Sequence, residues 1–270
     1  MSPPPTAIFG LVLGPLVEAT LANEAGRDEL HRALLAEPLC VAEIGPNAPA
    51  GPTVKLGQAP SSPEKSLVRV AKPELAQIQV RLAEAPALGA PVVALFTSGA
   101  AMSEFGRERG LWPDERERGV AYPPGAVFRL LRGHPGALLS SGSGRTVALD
   151  AGDVAALADG ETPTAYDEAL RKLATSGRPR EAARRLAGRP LYTLGHPHGG
   201  MLMFGRELPA FLHLPSAERF ADRLAQQLGN RAQQGLVAAA ELFKNATRGK
   251  LAVLVEPGPR AFRLRPEDLR

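Results

Sequence analysis

One cysteine, one tryptophan, three tyrosines and nine phenylalanines are all that this 270-residue chain has of the residues that most often staple or fill a small domain. The single cysteine, Cys40, excludes an intrachain disulfide and any metal site built on several thiolates. It stands in the apolar run EPLCVAE, where a buried structural thiol is the expected role. Aromatics are 5% of the chain, so the core has to be built mainly from Ala, Leu and Val. No stretch approaches the roughly 20 apolar residues of a membrane-spanning helix. The segment AIFGLVLGPLV near the start is apolar, but no Lys or Arg precedes Arg27, and a signal peptide needs a basic start. The expectation is a cytoplasmic protein with no membrane partner. Excess charge is lacking too: 32 basic side chains stand against 28 acidic ones, for a net charge of +4. The densest basic run, RPREAARRLAGR at 178–189, reads as a solvated helix face, so no nucleic-acid partner is expected.

Chemical signatures are also missing. No Gly-Lys-Ser/Thr follows a glycine loop, which excludes a P-loop. No Gly-x-Ser-x-Gly stands between an apolar strand and a helix, and no carboxylate pair is nominated by its spacing. No catalytic residue and no cofactor is therefore expected. The stretch LLSSGSGRTVAL at 138–149 looks at first like an anion-binding loop, because consecutive backbone N–H groups can converge on a phosphate.

What the chain does contain is a second version of itself. Residues 18–39 align without a gap on 170–191, with seven identities in 22 positions. Residues 137–154 align on 252–269 with five in 18, and 92–102 match 210–220 by pattern, with Ser98 and Ser216 the shared residue. The order is the same throughout, which predicts a tandem duplication. In the second copy Gly142 and Gly144 are replaced by Pro257 and Pro259. Proline has no N–H to offer an anion, so the shared demand is a hairpin turn, with positive φ expected at Ser143 and Gly258. Arg145 and Arg260 survive in both copies.

The coarse structure follows from two readings of one pattern. Helices are expected over 15–23 and 27–36, and again over 165–176 and 179–187, followed by the strands PLCVAEI and PLYTLG. Further strands are expected at SLVRVA, PVVALF, MLMFGREL and AFLHL. Helices capped by Ser98 and Ser216 come next, then short helices at GAVFRLLRG and LVAAAELFKNA, then the hairpin. The fold class is α+β: two tandem small α/β domains, each a mixed sheet with helices packed on it. They span 1–160 and 161–270, with a Pro/Gly-rich, loop-like insertion at about 45–66 in the first.

The segments VVALFTSGAAMSEF, GALLSSGSGRTVAL and RDELHRALLAEPLCV resemble the N-terminal domain of the SseB (enhanced serine sensitivity) family of bacterial proteins. The family's hairpin carries an Asn-Pro pair, which Ser140-Ser141 and Val255-Glu256 replace here. The resemblance covers most of the first copy and reaches the second through the duplication. It implies a small α/β interaction module: an adaptor, a chaperone-like protein or an immunity-type protein that binds another bacterial protein. A small-ligand regulator or enzyme of amino-acid metabolism, with its site between the copies, is the alternative. The partner-binding candidates are Arg145, Arg260 and Trp112, the last in the charged run RERGLWPDERERG. His196 and His198 in GHPHGG, with His213 nearby, are weak metal candidates; Pro197 and the glycines favour a polar turn, so no metal is expected. Asp153 and Asp268 match between copies at a first helical turn, where a carboxylate suits the helix dipole.

Overall fold

The structure is a computed structural model, and it describes residues 13–22, 26–43, 53–57, 77–109, 118–142, 145–196, 200–228 and 232–270. Trp112, His198, Ser143 and the strand expected at SLVRVA lie outside the described residues. The fold is α+β. The chain divides into two compact units, one of Met1–Leu149 with Leu157–Thr162 and one of Asp150–Ala156 with Pro163–Arg270.

Unit 1 begins with α1 (Leu13–Ala22) and α2 (Arg27–Ala36) and continues through β1 (Leu39–Glu43), β2 (Thr53–Gly57), β3 (Gln77–Ala83) and β4 (Val92–Phe96). It then runs through α3 (Gly99–Arg109), β5 (Arg118–Tyr122), α4 (Ala126–Leu130), β6 (Gly136–Ser140) and β7 (Thr146–Asp150), whose last residue belongs to unit 2. Five strands take the order β5-β1-β4-β6-β7, and the β2–β3 hairpin joins this sheet at Glu43↔Val80 and Leu82↔Val93. The β4–β6 pair is parallel, and both strands are buried at every position, as the unbroken apolar runs VVALF and GALLS require of strands covered on both faces. Ser98 starts α3 by accepting the Ala101 N–H at 3.1 Å. That helix lays Ala101, Met102 and Phe105 on Ala94 and Phe96. The Phe96 and Phe105 rings meet edge to face with centroids 5.3 Å apart.

Unit 2 holds most of α5 (Ala151–Ala158), then α6 (Pro163–Thr175), α7 (Pro179–Ala187), β8 (Pro190–Gly195) and β9 (Glu207–Phe211). It is completed by α8 (Leu214–Leu228), β10 (Gln233–Ala238), α9 (Ala239–Gly249), β11 (Ala252–Val255) and β12 (Phe262–Leu264). The sheet order is β10-β8-β9-β11-β12, with β9 and β11 parallel. On one face Leu170 of α6, Leu186 of α7 and Leu242 of α9 pack on Leu191, Leu208, Val253 and Val255. On the other face Ala217, Ala221 and Leu224 of α8 pack on Tyr192, Leu194 and Phe211.

The strand order of unit 2 repeats the five-stranded order of unit 1, and the register of its first strand pair repeats with it. Leu39 lies opposite Tyr122 as Leu191 lies opposite Val237, and Glu43 opposite Arg118 as Gly195 opposite Gln233. The structure corrects the middle of the sequence alignment. Phe96 pairs with Ser140 and Cys40, while Ala210 pairs with Val255 and Phe211 with Tyr192, so Phe96 matches the Ala210–Phe211 end of β9 rather than Leu214. Ser216 accordingly lies inside α8 and does not begin it.

Other expectations are revised as well. MLMFGREL forms two isolated bridges rather than a strand, and one strand, β9, replaces the two expected there. The segment LVA, expected to open a helix, ends β10, and α9 begins only at Ala239. β10 is an edge strand with little burial of its own, so pairing with β8 along its whole length overrides the helical preference of an Ala-rich run. Part of the expected loop at 45–66 is β2, held by five register positions on β3. Cys40 is half-buried in β1, and burial raises its thiol pKa, which makes it a poor nucleophile.

Phe105 is fully buried against the α3 face of the unit 1 sheet. Phe105→Ala is expected to lower unfolding free energy by about 4 kcal/mol, read as a drop in the urea midpoint at unchanged slope.

Candidate functional site

An arginine-lined cleft in unit 2 lies at the carboxyl ends of the parallel pair β9–β11. This is where open α/β sheets usually take ligands, because the loops leaving neighbouring strands there diverge. The cleft has a volume of about 370 Å³. Its walls are Asp167, Glu168 and Arg171 from α6; Ser216, Arg219 and Arg223 from α8; and the hairpin turn from Glu256 through Arg260.

Beneath the cleft is a cluster of acids around one histidine. Asp150, at the end of β7, accepts the Asp153 N–H on Oδ1 at 2.8 Å and the Leu214 N–H on Oδ2 at 2.7 Å. One carboxylate thus caps its own helix, α5, and the separate helix α8. Asp153 returns the bond by accepting the Asp150 N–H at 3.2 Å, so the Asp-x-x-Asp sequence acts as a capping box. The same turn recurs at the end of the chain, where Asp268 accepts the Arg265 N–H at 2.9 Å. That bond accounts for the Asp153/Asp268 match as a turn-forming pair.

His213 closes the cluster from the β9–α8 corner. Its Nδ1 lies 3.4 Å from Asp150 and 3.4 Å from Asp153, and its Nε2 lies 3.3 Å from Asp167. Burial by itself lowers the imidazole pKa, but the Asp150 charge and bonds to Asp150, Asp153 and Asp167 outweigh it and hold the pKa well above the ordinary 6.5. The three carboxylates thus favour the imidazolium form of this partly buried ring. Asp150, Asp153 and His213 bring three potential metal-ligand atoms within 4.8 Å of one another. A metal requires a neutral imidazole, whereas this geometry stabilises the charged one.

Two more groups complete the floor. Tyr192 accepts the Ala151 N–H on its phenol oxygen at 3.1 Å; burial, and then the Asp150 charge, push its pKa upward. Glu256 has a left-handed backbone, φ 50°, which is uncommon for a residue with a Cβ, and its carboxylate accepts the Leu212 N–H at 2.7 Å. Burial raises the Glu256 pKa, while the Leu212 N–H and the His213 charge partly oppose that. Gly152 is required by closeness rather than by its dihedral. A Cβ there would stand 2.0 Å from the Leu212 carbonyl oxygen and 2.9 Å from His213 Nδ1.

The sequence candidates are dispersed. Arg260 lines the cleft. Arg145 is exposed in unit 1, with Nη1 3.6 Å from Glu18, whose other oxygen accepts the Ser141 hydroxyl at 2.9 Å. Positive φ falls at Gly142 and Gly258 in the two hairpins. His196 is exposed and donates its N–H to the Gly200 carbonyl in the turn after β8. Sequence reasoning missed Asp150, Asp167, Glu256 and the arginines of α6 and α8, and it set His213 beside His196 and His198 rather than among these acids. The Asp150–Asp153 spacing was the one local signal, since the others meet only when β7, α6, β9 and β11 come together.

No known family model matches the chain, and no curated protein sequence does. A solved structure of Anabaena Tic22 (protein transport) is similar at 11% identity, covering 86% of this chain and 93% of that one, with a TM-score of 0.20. A likeness of that size says nothing about fold or role. Among the described residues, no helix is long and apolar enough to cross a membrane.

Gly152→Ala is expected to cost about 3 kcal/mol, because backbone rather than a mobile side-chain tip blocks the added methyl; chemical denaturation measures it. A raised histidine pKa stabilises the fold fully below pH 6.5, and that stabilisation is lost as pH climbs through the folded value. The raised Glu256 pKa acts in the same direction, from a lower starting pH. Unfolding free energy should therefore fall from pH 6.5 upward. His213→Gln should flatten that limb and cost about 3 kcal/mol at pH 6 by leaving buried carboxylates without their counter-charge.

Proposed function

We propose that the chain is a two-unit binding module of the SseB type that recognises another bacterial protein and carries out no catalysis of its own. The observation that carries this reading is the division of labour in unit 2. The groups with acid–base chemistry are committed to the fold: Asp150 has both oxygens on backbone N–H groups, and Glu256 holds the Leu212 N–H. Four guanidinium groups line the cleft, and of these Arg171 and Arg260 have no ion-pair partner among the described residues. Arginine stays charged at any ordinary pH, which suits an anchor and not a proton carrier.

The tandem duplication expected from the sequence fits the same reading. Five strands of each unit take one order, the first pair shares its register, and each terminal hairpin carries its arginine. Arg145–Glu18 is an exposed pair of a kind worth less than about 1 kcal/mol, so stability gives little reason to keep that arginine twice. Adaptor, chaperone-like and immunity-type roles all call for such a pair of recognition surfaces.

The test is affinity capture of the tagged full chain from native bacterial lysate, read by mass spectrometry. One protein should be enriched over a tag-only control and lost with the double variant Arg145→Glu, Arg260→Glu. Failure to enrich any protein reproducibly would overturn the reading.

A further inference from the structure

The hairpin arginine meets different surroundings in the two units, and the difference identifies a ligand chemistry. In unit 1 a carboxylate, that of Glu18 on α1, lies across from Arg145 and also takes the Ser141 hydroxyl. In unit 2 each of those two partners is changed. The residue aligned with Glu18 is Leu170, which is fully buried in the core. The residue aligned with Ser141 is Glu256, whose carboxylate is bonded to the Leu212 N–H and lies under the His213 charge. Arg260 is left exposed with no ion-pair partner among the described residues, at the rim of a cleft that unit 2 keeps open.

The rest of the cleft wall has the same polarity. Arg171, Arg219 and Arg223 join Arg260, and of the three acids present, Asp167 is paired with His213 and Glu256 with Leu212. Glu168 is then the one acid of the wall set against four guanidinium groups. The cleft also does not end at the size of a small molecule. A second hollow of about 480 Å³, lined by Glu168, Arg171, Lys172 and Thr175, shares Glu168 and Arg171 with it and continues along α6. A run of cations along two adjoining hollows fits a ligand that presents several carboxylates in series, and guanidinium groups suit carboxylates through their paired N–H donors.

We infer that the cleft of unit 2 binds an acidic segment of the partner polypeptide, with Arg260 and Arg171 pairing the Asp or Glu carboxylates that Glu18 supplies internally in unit 1. This rests on the binding-module reading above and deepens it.

The test uses the full chain and a fluorescein-labelled hexaglutamate peptide at low salt, read by anisotropy, with amide chemical shifts locating the contact. Binding should move the amides of Gly258, Arg260 and Ser216. Arg260→Ala and Arg171→Ala should each weaken it about tenfold, the loss expected for one charged hydrogen-bonded contact. Lys250→Ala, in a separate basic hollow lined by Arg206, Lys250 and Arg265, should leave it unchanged. Three results would overturn the inference: no binding, an equal loss with Lys250→Ala that marks unspecific attraction, or Arg260-dependent displacement by millimolar succinate that marks a free small carboxylate as the occupant. Partner capture that persists in Arg260→Ala would sink the cleft while leaving the binding module standing, whereas absence of any partner would sink the module itself.

Discussion

The Asp150 carboxylate is the point on which unit 2 is assembled. It stands where the chain leaves β7, and its two oxygens satisfy N–H groups at the starts of two helices distant in sequence, α5 and α8. Helix starts leave several N–H groups without partners, and burying them unmet is costly. Because the residue is buried, its charge needs an opposite charge close by, and His213 provides it as an imidazolium shared with Asp153 and Asp167. The close approach of α5 to Leu212 demands glycine at position 152, and Tyr192 supports the same turn from the sheet through the Ala151 N–H. Backbone capping, ion pairing and steric fit therefore converge on a few residues.

The two units reach one strand order by different local means. In unit 1 the hairpin after β6 passes through Gly142, which has φ 106° and leaves a would-be Cβ 2.9 Å from the Ala101 Cα. Any side chain there would collide with α3. In unit 2 the aligned residue is Pro257, and the left-handed turn residues are Glu256 and Gly258 instead. The turn is a shared requirement, while the residues that make it depend on what packs behind. Unit 1 also gains the β2–β3 hairpin, where unit 2 has two isolated bridges at the ends of β8 and β9.

Much of this organisation was legible in the sequence because it repeats. The helix pair at the start of each unit, the strands PLCVA and PLYTLG, and the terminal hairpins all appear where paired segments predict them. Helix α3 was legible through Ser98, a local cap reading a local N–H. The same reasoning failed at α8, because Ser216 lies inside that helix rather than ahead of it. The first N–H of α8 is met by Asp150, which lies 64 residues earlier in the chain, and no local pattern carries a contact of that separation. β10 was hidden for a related reason: its strand state comes from pairing with β8, while its last residues run into the helical pattern of LVAAAELFKNA.

By itself the sequence determined the α+β class, the repeated order of elements, the lack of disulfide chemistry and the persistence of Arg145 and Arg260. These depend on composition and on periodicities of a few residues, which local sterics and hydrophobic burial read directly. Tertiary structure alone decided that Asp150, Asp153, Asp167, His213 and Glu256 gather in one cluster, and that Arg260 overlooks an open cleft while Arg145 faces Glu18. The charge state of a histidine and the vacancy beside an arginine depend on groups brought together from distant strands and helices, and only the packing of the folded chain brings them within reach.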